Sequence, residues 1–376
     1  MKKKTLLASG ISLLLLVACI CTAGAADGSR IVEDAAQRRV TLPRTVDRIL
    51  CSGPGALRLI TYLQCQDRII GVDGIEKRHR EFDSRPYALA NPQLKTYPLF
   101  GEFRGHDNPE LIMGLSPLPQ VIFKTFHTMG YDPDELQART GIPVVVLNHG
   151  NLGNQRRQLF DSLDLAGRVL GEEKRATQVI SFFTNQIADL ERRTTDLPQS
   201  EQSDCFVGGI ASKGPHGFLS TEPGYPPFGF VNAVNAAAPP GGRGNSLSHS
   251  TVSKEKLIQW DPDILFLDLS TLQMGERAGG FYELRTDPVF KALGAVESGR
   301  VFGLLPYNGY AQNYGSILAN AWFIGKLLHD QRFADIDPGA KADEIYSFLV
   351  GAPVYEAMDD NFHNLAFQKI PLDRPL

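Results

Sequence analysis

No C-x-x-C pair occurs in the 376 residues, so a thiol redox centre and an iron–sulfur cluster are excluded. The chain also lacks H-E-x-x-H, G-x-S-x-G and the phosphate-cradling G-x-x-x-x-G-K-[ST], and with them three common routes to enzymatic chemistry. Gly241-Gly242-Arg243-Gly244 is glycine-rich but has no strand-to-helix setting. There is no basic excess, with Lys+Arg 38 against Asp+Glu 42 and a formal net charge of -4, so nucleic acid is not an expected partner. Beyond the N-terminus no apolar run is long enough to span a bilayer. Apolar residues nevertheless make up 43% of the chain, ample for two cores at this length.

The N-terminus is informative. Lys2, Lys3 and Lys4 precede an apolar run from Leu6 to Ile20, and small residues follow. This is the three-part pattern of a secretory signal over residues 1–25, with an A-x-A site at Ala23-Gly24-Ala25; the rival is a retained anchor. Leu16-Val17-Ala18-Cys19 also resembles a bacterial lipobox, which would place cleavage before a lipidated Cys19. Either outcome puts the mature protein outside the cytoplasm, in a periplasm or on the outer face of the membrane. Cys51, Cys65 and Cys205 remain. Cys51 and Cys65 pair in one reading; in the other all three fill core space.

Strand-type runs separated by helical patterns fill two regions. In residues 38–155 they are Arg39–Leu42, Arg48–Cys51, Arg68–Val72, Gln120–Phe123 and Val144–Leu147, with a helix opened by Asn108-Pro109-Glu110. In residues 204–365 they are Cys205–Gly209, Asp263–Asp268 and Arg300–Leu304, with Asn232–Ala238 read as a helix end and Ser253 as a helix cap. Residues 157–194 carry the longest helical pattern, interrupted at Gly171. The expected architecture is α/β: two parallel-sheet sandwich lobes joined by one long helix, with a ligand cleft between them.

Four segments resemble the substrate-binding proteins of iron-complex and cobalamin ABC importers, the class with a single helical backbone. They are Thr41–Ile49, Arg68–Val72, Asn108–Leu115 and Val252–Asp263. The last two are versions of one box, E-x-[IL]-x-x-L-x-P-D, whose Pro-Asp is intact at Pro262-Asp263 but replaced around Leu118-Pro119-Gln120. The resemblance implies capture rather than catalysis by a monomer without a cofactor. The ligand would be a metal chelate, foremost a ferric siderophore, with haem or a corrinoid as alternatives. The partners would be a membrane permease and its ATPase, with Glu110 and Glu255 as docking carboxylates. Two other classes stand against it, a secreted metal-dependent hydrolase or chelatase and a surface adhesion or sensory module.

Ligand contacts in such a fold come from loops beyond the carboxyl ends of the strands. Those loops offer Arg104, Lys124, His127, His149, Lys213, His216, Tyr307, Asn308 and Tyr310. Tyrosines supply a stacking face with a hydroxyl, and the cations pair with carboxylate or phosphate. A histidine could serve a haem or cobalt centre axially, whereas a bare metal site is not expected, since zinc would ask for several convergent histidines or carboxylates.

Overall fold

The computed structural model describes residues 28–78, 80–198, 202–239 and 249–374. The expected signal segment and Cys19 lie outside the described residues.

The N lobe is built on three parallel strands, Ile49–Ser52, Val121–Thr125 and Val144–Leu147, in that spatial order. Every residue of the three is buried, as expected of a sheet covered on both faces. A smaller sheet of Val72–Asp73, Leu99–Glu102 and His106–Asp107 continues it through a bridge between Ile49 and Ile69. The C lobe repeats the design with four parallel strands ordered Val234–Asn235, Asp204–Gly208, Ile264–Asp268, Val301–Leu304.

Two elements differ from expectation. Residues 68–72 are a 3-10 turn at Gln66–Arg68 followed by a strand of only two residues. Asn232–Ala238 holds the edge strand Val234–Asn235 rather than a helix end. The neighbouring helix is Pro226–Phe230, started by proline at its first positions, where the missing N–H costs nothing.

The lobes are joined by two helices, Arg156–Leu170 and Glu173–Thr194. Gly171, at φ 72°, ends the first with its N–H bonded to Gly167 O. The second spans about 33 Å at 1.5 Å per residue. Asn148 N donates to Ser162 Oγ, tying the first helix to the N lobe. The second rests on the C lobe, with Phe183 edge-on to Tyr314 at 6.2 Å and Trp322 Nε1 donating to Gln186. One apolar cluster consequently runs through both lobes and the connecting helices, which restricts relative lobe motion. Cys51, Cys65 and Cys205 are buried free thiols, so no disulfide closes the 51–65 loop. Among the described residues no helix is long and apolar enough to cross a membrane.

Candidate functional site

A cavity of about 930 Å³ lies between the lobes, at the upper end of the range typical of small-molecule sites. Loops beyond the strand ends supply part of its wall, as the parallel topology dictates, and the loop of residues 78–84 supplies another part. From the N lobe come Arg78, Arg80, Phe82, Phe103, Arg104 and Phe126. From the C lobe come Lys213, His249, Asn308, Tyr310 and Gln312.

The loop after Val301–Leu304 also ties the lobes together. Tyr310 Oη donates to Asp73 Oδ2 at 2.6 Å and accepts from Arg104 N at 2.7 Å. The buried Arg58 donates to Gly309 O and to Asn313 Oδ1, both at 2.7 Å. Asn313, in turn, donates to Ser84 O at 2.8 Å. Gly309 is required by this approach, because a Cβ there would stand 2.3 Å from Ser84 Oγ. Gly55 has the same role beneath the cleft: at φ 84°, an added Cβ would meet the His149 ring at 2.4 Å.

Backbone strain gathers on the cleft wall. Arg104, Phe126, Lys213, Tyr310 and Ala311 all line the cavity with positive φ. Left-handed non-glycine residues cost about 1 kcal/mol or more each and persist where surrounding structure fixes them, often at ligand sites. Phe126, 40% exposed, stacks on His149 with ring centroids 5.6 Å apart.

The charge of the wall is lopsided. Arg78, Arg80, Arg104 and Lys213 face one carboxylate, Glu81, and none of the four forms an ion pair with a carboxylate among the described residues. Arg78 and Arg104 lie over the Phe103 ring, at 4.2 and 5.3 Å. Burial, and then the neighbouring Arg85, lower the Arg80 pKa from its ordinary value. An anion in the cleft would relieve that cost.

The residues expected from sequence separate into three groups. Arg104, His149, Lys213, Asn308 and Tyr310 line the cavity. His127 and His216 are half-buried and stand off its wall; His216 bonds Ser212 O through Nε2 and sits 5.4 Å from the His249 ring. Lys124 and Tyr307 are both 0% exposed, and their assignment to the ligand surface is corrected. Lys124 Nζ donates to Asp107 Oδ2 at 2.6 Å, and to Ser52 Oγ and Gly105 O at 3.2 Å, holding the turn that carries Arg104. The Tyr307 hydroxyl accepts from Gln312 and meets the buried Glu222 carboxyl. Phe126 and Met129, in the turn after Lys124's strand, present the apolar surface instead.

His149 is neutral at physiological pH, because burial and then Arg58 push its pKa down to about 3. Its ring lies against Tyr314, whose hydroxyl is 2.6 Å from Nδ1 and donates to His149 O. Among the described residues no group of three or more His, Cys, Asp or Glu could hold a metal ion.

Glu222 supplies a pH prediction. Burial raises its pKa from 4.5 to about 9, with the Tyr307 hydrogen bond opposing the rise. Between those values the folded state holds a proton that the unfolded chain has released, so stability falls as pH rises from about 4.5 to about 9. Replacing Glu222 with Gln should flatten the decline of the urea midpoint between pH 5 and 8. An unchanged slope would show that the group is ionised in the fold.

The sequence matches the periplasmic binding protein family over residues 59–307. It is 22% identical to the molybdate-binding protein MolA of Haemophilus influenzae, over 88% of this chain and 94% of that one. The structure resembles a periplasmic solute-binding protein of Veillonella parvula, with TM-score 0.68 and 18% identity over 92% of this chain and all (100%) of the other. It also resembles the haem-binding protein HutB of Vibrio cholerae, with TM-score 0.52 and 20% identity over 75% of this chain and 98% of that one. Matched over more than half its length, this chain belongs to the periplasmic binding protein family: it is an extracytoplasmic solute-binding component of the ABC-importer class, not an enzyme.

Proposed function

We propose that this protein captures an anionic metal chelate, foremost a ferric siderophore, and delivers it to a membrane permease driven by an ATPase. The observation that carries this reading is the cleft wall, where four cations, none in an ion pair with a carboxylate among the described residues, stand with Phe82, Phe103 and Phe126 around about 930 Å³. A surplus of cations in a recessed cleft draws in and holds an anion, and aromatic rings cover the apolar faces of a large ligand. A chelate whose metal is already saturated fits better than haem. Of His127, His149 and His216, the histidines expected to serve a metal centre axially, only His149 lines the cavity, and its ring is held by Tyr314. Exported by its N-terminal segment, and lipidated at Cys19 if the lipobox is used, the protein would meet the permease through Glu110 and Glu255. Both are exposed in the first turn of a helix.

A second reading is capture of a simple oxyanion, favoured by the relative named for binding molybdate. The same arginines would serve it, but the three phenylalanines would have nothing to cover. Native mass spectrometry of protein purified from an iron-limited periplasm separates the two. The chelate reading expects a 1:1 adduct of several hundred daltons with a visible charge-transfer band. A bare tetrahedral oxyanion adduct without such a band would establish the second reading.

A further inference from the structure

Each lobe carries one short, exposed helix of the same construction. Asn108 caps Pro109–Met113, its Oδ1 accepting from Leu111 N at 3.0 Å. Ser253 caps Lys254–Trp260, its Oγ accepting from Lys256 N at 3.2 Å. Each helix precedes an inner strand of its lobe's parallel set, Val121–Thr125 or Ile264–Asp268. Counted from the caps, Glu110 matches Glu255, Ile112 matches Leu257, and Met113 matches Ile258. Ile112 and Leu257 are both 0% exposed and anchor their helices to the lobes. The next residue faces water in both, with Met113 45% and Ile258 47% exposed.

A single exposed apolar side chain means little. The same large apolar group at the same step of two duplicated helices, one turn from an exposed carboxylate in each, calls for a partner that repeats itself. We propose that Met113 and Ile258 are apolar anchors for docking on the permease, a membrane partner that offers each lobe a basic group beside an apolar pocket. The inference rests on the importer reading. The importer class selects this occupant, since the permease is the component that both lobes must meet; charge would not, because Lys254 and Lys256 flank Glu255 on the C-lobe helix and could pair with the carboxylates of a second copy. Leu111 and Leu118, 42% and 41% exposed, widen the N-lobe patch, whereas Lys256 occupies Leu111's place in the C lobe.

The two residue types should act on different rate constants. Rim carboxylates speed encounter in a salt-dependent way, while buried apolar anchors lengthen the life of the complex. The test uses the mature protein as purified and its permease–ATPase complex in immobilised nanodiscs, with association and dissociation followed across a salt series. The pair Met113→Gln and Ile258→Gln should raise the dissociation rate about tenfold or more, leaving the association rate and its salt slope unchanged. The pair Glu110→Gln and Glu255→Gln should lower the association rate and flatten the salt slope. Unchanged dissociation in the apolar pair, with weakened binding in the glutamate pair, would overturn the anchor role and leave the importer reading standing. No binding of the unsubstituted protein would overturn both. Thermal melts of the variants should match the parent, because both side chains are largely exposed.

Discussion

Replacing Arg78, Arg80 and Arg104 together with glutamine should weaken capture of the anionic ligand at least a hundredfold while the fold survives. Hydrogen bonds to a charged partner contribute about 1.5–3 kcal/mol each, so losing two of three suffices. The fold has little to lose, since none of the three pairs with a carboxylate among the described residues. Arg80 is half-buried, and its repulsion by Arg85 is set against attraction to Asp83 and Glu76. Residual binding should also lose most of its salt dependence. Full affinity in the triple variant would show that the cations merely decorate the rim.

The largest effect on stability is expected at Lys124. Substituting methionine removes the cation that accompanies Asp107 in a dry interior, where the two side chains are 0% and 1% exposed. Removing one member of such a pair costs about 3–5 kcal/mol, because the remaining charge has no solvent. Asp107 is poorly placed to compensate, since its Oδ1 already has no hydrogen-bond partner among the described residues. Adding Asp107→Leu should recover much of the loss. Denaturation midpoints of the single and double variants measure this directly, and affinity per folded molecule should change only a few-fold through the Arg104 turn. A Lys124→Met protein of normal stability that no longer binds ligand would restore the lysine to the site.

Lys124 also shows why the site was only partly legible. The strand was read as ending at Phe123, which placed Lys124 in a loop; it runs to Thr125, so Lys124 lies inside the sheet and Phe126 takes the exposed turn. Tyr307 failed for a related reason. Asp268 Oδ2 takes its backbone N–H at 2.8 Å and turns the residue inward, so the cleft receives Asn308, Tyr310 and Gln312 instead. Arg78, Arg80 and Phe82 carried no strand-end signal, because they reach the cleft from a loop whose position depends on distant contacts such as Asn361 Nδ2 donating to Asp83 O. By contrast the fold was readable. Continuous apolar runs marked the buried parallel strands, Ser253 was readable as a cap, and Asn108, read as opening a helix, caps it as well. The helix Tyr314–Leu328 is buried from Tyr314 to Gly325, with Tyr314 edge-on to Phe183 of the connector.

Capture of a metal chelate by the cationic aromatic cleft is tested most directly by isothermal titration with a ferric tricatecholate and, in parallel, with sodium molybdate. The expected result is saturable 1:1 binding of the ferric chelate at micromolar or tighter affinity, lost in the triple arginine variant, with no heat from molybdate. Binding of molybdate alone, or chelate binding that survives the loss of all three arginines, would contradict it.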